Sequence, residues 1–178
     1  MKYKETDFNG LFLISHKLFK DERGSFKEVF RKNEIENKLN YKINFCQENI
    51  VESKINVLRG LHFQKEPYAQ SKLISVLRGS ILDVAVDIRR NHKTFGKYFS
   101  YVLDANNNES LFIPRGFAHG YLALSESVLI KYSVDNFYNP NMEYGIPYND
   151  NFLNIDWGIK QGEMIISDKD KSYNSFQW

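Results

Sequence analysis

The sequence predicts an all-β fold, a sandwich or barrel of short strands, and three observations predict it. Residues 81–89 have a period of two: Leu82, Val84, Val86 and Ile88 alternate with Asp83, Ala85, Asp87 and Arg89. That period puts one set of side chains on each face of a strand, one face apolar and the other partly polar. From Phe45 onward, short apolar segments follow one another between turn signals such as Arg78-Gly79 and the polar run 104–110. Helical spacing is best in residues 31–40, where Ile35 and Leu39 lie four apart on a polar segment.

Taken in order, residues 11–19 and 21–30 read as the first strands, with a turn at Arg23-Gly24. The helix at 31–40 has one thin apolar stripe, which suits a peripheral position. Strands are then expected at 45–51, 57–63, 72–77, 81–88, 97–103, 110–113, 120–124 and 128–135. After about residue 145 the pattern turns irregular, with one helical turn near 149–153. No repeat, low-complexity linker or second domain is visible, so residues 1–178 are expected to form one domain.

Composition narrows the function. Of the 178 residues 42% are hydrophobic and 15% aromatic, enough for a substantial core. With 24 basic and 22 acidic residues the formal charge is +2, too small a field to argue for nucleic acid or a membrane surface. The single cysteine, Cys46, allows no intrachain disulfide and no Cys-based zinc pattern. The first ten residues carry charge and no apolar core of a signal peptide. No apolar run reaches the roughly 18 residues of a membrane span. The expectation is a soluble, cytoplasmic protein.

One stretch is unusually polar for a sheet. Residues 59–73 hold Arg59, His62, Gln64, Gln70 and Lys72. His62 and Gln64 share a strand face, and Lys72 shares one with Ile74 and Val76. If these strands adjoin, His62 and Lys72 point into one cavity; alone, His62 reads first as a core histidine. Strict alternation puts Arg59 and His62 on opposite faces. Arg59 then needs a bulge, a twist or a second subunit's site to join His62.

Residues 113–124 contain Pro114, Gly116 and His119, a P-x-G-x-x-H pattern. It resembles the second motif of the cupin superfamily, a double-stranded β-helix or jelly roll. The first cupin motif supplies H-x-H and a later Glu. Here the corresponding residues are His62-Phe63-Gln64, with Tyr68 and Ala69 where the Glu belongs. Two expected ligands are missing, and a catalytic metal usually needs about three. No metal is expected.

A more specific resemblance covers nearly the whole chain. The runs "DERGSFKEVF", "VLRGLHFQ", "QSKLISVLRGSILDVAVDIR", "TFG", "IPRGFAHGYLAL", "YNP", "DW" and "SDKD" occur in one order. Together they closely resemble the dTDP-4-dehydrorhamnose 3,5-epimerase family. The resemblance implies a cupin-like jelly roll, usually a homodimer. It would epimerise a nucleotide-linked 4-keto sugar in deoxysugar or surface-polysaccharide synthesis, with no cofactor. A C4 ketone acidifies the C3 and C5 protons, so epimerisation needs a base, an acid on the other ring face and a positive group near the oxygen.

The residues on hand can meet those needs. His62 suits the base, because its ordinary pKa lies near neutrality. By resemblance, Asp170 is the carboxylate that holds its other nitrogen; Asp168 and Asp83 are competing partners. Lys72 suits the enolate stabiliser, and Tyr132 resembles the family's general acid. Lys131 and Ser133 should face the other side of that strand. For the nucleotide, Arg59 and Arg23 can neutralise phosphates, Phe26 can stack on the base, and Glu28 and Gln47 can bond its edge. Asn49, His119, Tyr138 and Glu143 resemble further substrate-site positions. Residues 171–178, with Tyr173, Phe176 and Trp178, are free to dock on the barrel or on a partner.

The nucleotide and sugar stay open, since relatives act on other bases and on heptoses, as with a GDP-4-keto-heptose, and some invert one carbon. A nucleotide-sugar 3,4-ketoisomerase, a metal cupin oxidoreductase and a non-catalytic sugar-binding cupin are the alternatives.

Overall fold

The computed structural model describes residues 1–178. Strands β1 (Lys2–Glu5), β2 (Phe12–Ser15), β3 (Leu18–Asp21) and β4 (Gly24–Lys27) precede helix α1 (Lys32–Leu39). The body is β5 (Gln47–Lys54), β6 (Val57–Gln64), β7 (Lys72–Arg78), β8 (Ser80–Asp87), β9 (Tyr98–Asp104), β10 (Glu109–Ile113), β11 (Phe117–Ala123) and β12 (Ser127–Val134). β13 (Glu143–Gly145), β14 (Ile165–Ile166) and the one-turn helix α2 (Asp168–Lys171) follow.

Two sheets face each other, as the jelly-roll expectation requires. The first runs β1-β2-β10-β7-β12-β5 and the second β13-β6-β11-β8-β9, with β14 beside β6. Between them lies a core that includes Leu13, Ile74, Val76, Ile81, Ala85, Leu111 and Ile130. Val84, Val86, Leu58, Leu61 and Phe63 point the other way, onto a second cluster with Ile146, Tyr148 and Trp157. The irregular chain after residue 145 therefore covers the outer face of the second sheet. This explains the pattern of residues 81–89. The period of two holds, but the partly polar face turns inward: Asp83 and Asp87 are fully buried. Asp87 accepts from Arg89 and Thr94, which satisfies its charge.

Helix α1 lies over the outer face of the first sheet, with Ile35 buried against Phe12, Ile14 and Phe112. Asn40 caps it in the left-handed region, φ 59°. Some boundaries differ from expectation. The segment 11–19 divides into β2 and β3, and 21–30 shortens to β4, which pairs only with β3. β11 begins at Phe117 rather than residue 120, and β5 runs on to Lys54. The expected turn near 149–153 is a single one, closed by the Asn154 N–H on the Asp150 carbonyl.

Candidate active site

The site starts with a fault in strand register. On β11, His119 pairs with His62 of β6, and Tyr121 pairs with Arg59. One residue separates the partners on β11, but two, Gly60 and Leu61, separate them on β6. This is a β-bulge, and it turns Arg59 and His62 to the same inner face. Strict alternation thus fails at this one step. Gly60 has φ +125°, and a Cβ there would sit 2.5 Å from the Gly120 Cα, so a side chain fits neither the backbone nor the space.

Asp170 reaches the bulge from the far end of the chain. β14 runs parallel to β6, pairing Ile165 with Val57. Ser167 then caps α2 by accepting from the Asp170 N–H, which starts a turn beside Gly60. Asp170 Oδ2 accepts the Gly60 N–H at 3.1 Å, and Oδ1 accepts His62 Nε2–H at 2.8 Å. Burial pushes the Asp170 carboxyl up, but the His62, Gly60 and Ser167 hydrogen bonds outweigh it and hold the pKa below its ordinary value. With Nε2 committed to Asp170, Nδ1 is the basic nitrogen. Asp170 is 4% exposed, far from the accessible turn that its Asp-Lys-Asp setting suggests.

The opposite sheet supplies the other half. Lys72 on β7 and Tyr132 on β12 line the same cavity as His62, together with Gln47 and Asn49 of β5. The cavity encloses about 330 Å³. Tyr132 pairs in register with Ile74 and Asn49, so its inward direction follows from Ile74 in the core. Lys131 and Ser133 face outward and both bond Glu48, as alternation requires. Burial raises the Tyr132 pKa, with Tyr121 adding to it, so the phenol stays protonated at neutral pH. Desolvation lowers the Lys72 ammonium to about 8, against the pull of Glu143 and Asp83.

Polar side chains frame the cavity. Glu143 accepts from the Tyr138 hydroxyl at 2.6 Å and from the Lys169 ammonium. Burial raises Glu143, yet these two bonds bring its pKa below the ordinary value. Gln47 Oε1 accepts the Tyr138 N–H at 3.0 Å, and Gln47 Nε2 donates to Asn49 Oδ1. Arg59 Nε donates to Ser53 Oγ, itself 2.9 Å from the Tyr121 hydroxyl. His119 is buried behind His62 and donates to Asp83 at 3.0 Å. Asp83 therefore serves His119 and not His62, which leaves Asp170 as the imidazole's carboxylate.

A family model described as dTDP-4-dehydrorhamnose 3,5-epimerase matches residues 5–177. The chain belongs to the dTDP-4-dehydrorhamnose 3,5-epimerase family. The dTDP-4-dehydrorhamnose 3,5-epimerase of Escherichia coli K12 is 42% identical over 171 residues, 96% of this chain and 92% of that one. The crystal structure of the enzyme from Elizabethkingia anophelis aligns with TM-score 0.95 at 43% identity, over 99% of this chain and 96% of that one. The Legionella pneumophila dTDP-6-deoxy-D-glucose-3,5-epimerase, solved with dTDP-4-keto-L-rhamnose, aligns with TM-score 0.93 at 38% identity, over 98% and 92% of the two chains. These epimerases share the cupin-like jelly roll.

Of the residues expected at the site, Arg59, His119 and Asp170 adjoin the cavity without lining it, and Arg23, Phe26 and Glu28 stand away from the cavity of their own chain. Arg23 and Phe26 lie on the β3–β4 hairpin, where Arg23 pairs with Asp21 and Phe26 is 67% exposed. Glu28 follows the hairpin and pairs with Arg31. Sequence reasoning gave no role to Lys169, Gln64 or Gln70. Gln64 binds the Tyr68 and Phe137 carbonyls and the Asn139 N–H, and so pins the loop that carries Tyr138. Its place on the His62 face was the available signal. No group of three or more His, Cys, Asp or Glu side chains converges as a metal-ligand set.

Proposed function

We propose that the cavity inverts C3 and C5 of a dTDP-linked 4-keto-6-deoxyhexose by enolisation. The observation that carries this reading is the opposed pair, His62 from one sheet and Tyr132 from the other, with Lys72 on the same cavity. His62 Nδ1 takes the proton beside the ketone. The C–H electron pair becomes the C=C bond, and the carbonyl π pair moves onto oxygen. Lys72 stabilises that enolate oxygen, and Tyr132 delivers its phenolic proton to the carbon's other face. Nothing is oxidised or reduced. As the carbonyl re-forms, the C=C pair takes the Tyr132 proton. His62 is left as imidazolium and Tyr132 as phenolate, and solvent removes the proton from the first and returns one to the second. The family and the ligand of the Legionella enzyme support a thymidine nucleotide.

Arg59, exposed and anchored through its Nε on Ser53, is the phosphate contact we assign within this chain. Arg23, Phe26 and Glu28 suit the nucleotide, but their exposed hairpin lies away from the cavity of its own chain. We infer that they act in the cavity of a second copy, in a homodimer. A one-chain mass in solution with full activity would contradict this.

Incubation with dTDP- and GDP-linked 4-keto-6-deoxyhexoses, followed by NMR of the product, tests the substrate. The dTDP sugar should be converted with inversion at both carbons. Conversion of the GDP sugar alone would overturn the nucleotide, and inversion at one carbon would overturn the double epimerisation.

A further inference from the structure

We propose that Tyr173, in the segment after Asp170, is a positioning residue that confines the His62 imidazole; this rests on His62 being the base. The two rings meet edge to face, with centroids 5.8 Å apart and planes at 69°. Asp170 holds only one edge of the imidazole, through Nε2. A ring tethered at one nitrogen can still swing about that bond, and Tyr173 fills the space it would swing into.

The fold makes room for this contact at one glycine. Gly145 of β13 pairs in register with His62. A Cβ at Gly145 would lie 2.2 Å from a Tyr173 ring carbon, so the tyrosine occupies the space of the missing side chain. The same place holds an unused donor, because the Tyr173 hydroxyl is buried without a hydrogen-bond partner. With no partner for its hydroxyl, Tyr173 meets His62 through its ring alone, so phenylalanine should serve as well there.

Residues downstream keep Tyr173 in place. Phe176 packs edge-on against Phe63, ring centroids 6.0 Å apart. Trp178 stacks on Phe152 at 5.0 Å and donates its indole N–H to Asp150. The Arg90 guanidinium donates to the Gln177 carbonyl at 2.7 Å. These contacts clamp the segment to the outer face of the second sheet, and His62 gains a wall from outside its own sheet.

The test compares Tyr173→Ala, Tyr173→Phe, the double variant Phe176→Ala/Trp178→Ala, and His62→Ala. Small displacements of a reacting group cost large factors in rate, so Tyr173→Ala should lose about tenfold in kcat with KM nearly unchanged. Tyr173→Phe should recover most of that loss, and the double variant should reproduce it. The His62 Nε2 proton, bonded to Asp170 and assigned by its loss in His62→Ala, should broaden in Tyr173→Ala and stay sharp in Tyr173→Phe. Wild-type kcat and a sharp signal in Tyr173→Ala would overturn the proposal, as would a loss confined to KM. Tyr173→Phe behaving like Tyr173→Ala would overturn it too, by moving the role to the hydroxyl. Full turnover in His62→Ala would instead refute the base assignment, while the proton signal still reports on the Tyr173 contact.

Discussion

Replacing His62 with alanine should lower kcat about a thousandfold, within the range measured for a lost general base, while dTDP binding changes little. The separation follows from geometry. In the proposed site His62 serves the sugar through Nδ1, whereas Arg59 and the hairpin residues of a second copy are the proposed contacts of the nucleotide. Asp170→Ala should cost less than His62→Ala, because the imidazole remains and loses only its carboxylate partner. Steady-state kinetics and dTDP titration check both variants. A His62→Ala protein with wild-type turnover would remove the base from this account.

The second large effect is set by Lys72. Its ammonium is the form that stabilises an enolate, and burial lowers its pKa to about 8. Below that pKa the group is charged and the site works; as pH rises through it the charge is lost. kcat/KM should therefore fall on the alkaline side with a midpoint near that of the free enzyme's Lys72. Lys72→Met keeps the side-chain bulk and removes the charge. It should lose about a hundredfold or more at neutral pH, the scale of one deleted charge stabiliser, and the limb near 8 should vanish. The pH dependence of kcat/KM for the two proteins checks this. An unchanged limb in Lys72→Met would place the titration on another group.

The same residues show what a sequence can and cannot reveal. The strands with apolar alternation were legible, because a half-buried strand writes its period into the chain: Leu82 to Ile88 is the clearest case. β1 was not, since its residues Lys2–Glu5 form an exposed, polar edge with almost nothing to bury. β13 and β14 are too short to carry a period.

At the site, the shared face of His62 and Gln64 could be read directly, as could that of Lys72 and Ile74. The convergence of Arg59 on His62 could not, because it depends on a bulge at Gly60. That glycine is written in the sequence, but its register against β11 is a long-range property. Asp170 is the sharpest example. Alone it reads as a surface acid, and only the parallel pairing of Ile165 with Val57 carries it under β6. The family resemblance supplied that link where local pattern had none. It likewise pointed to Arg23 and Phe26, which the fold of a single chain leaves outside its cavity.

The central claim is that His62 and Tyr132 work from opposite faces of one sugar ring. The most direct measurement is turnover in heavy water by the wild type and by Tyr132→Phe, with deuterium and configuration at C3 and C5 read by NMR. The wild type should introduce deuterium at both carbons with inversion. In Tyr132→Phe, deuterium should still enter through His62, but inversion should fall sharply, because the proton returns to the face it left. Undiminished inversion in Tyr132→Phe would contradict the opposed-face mechanism.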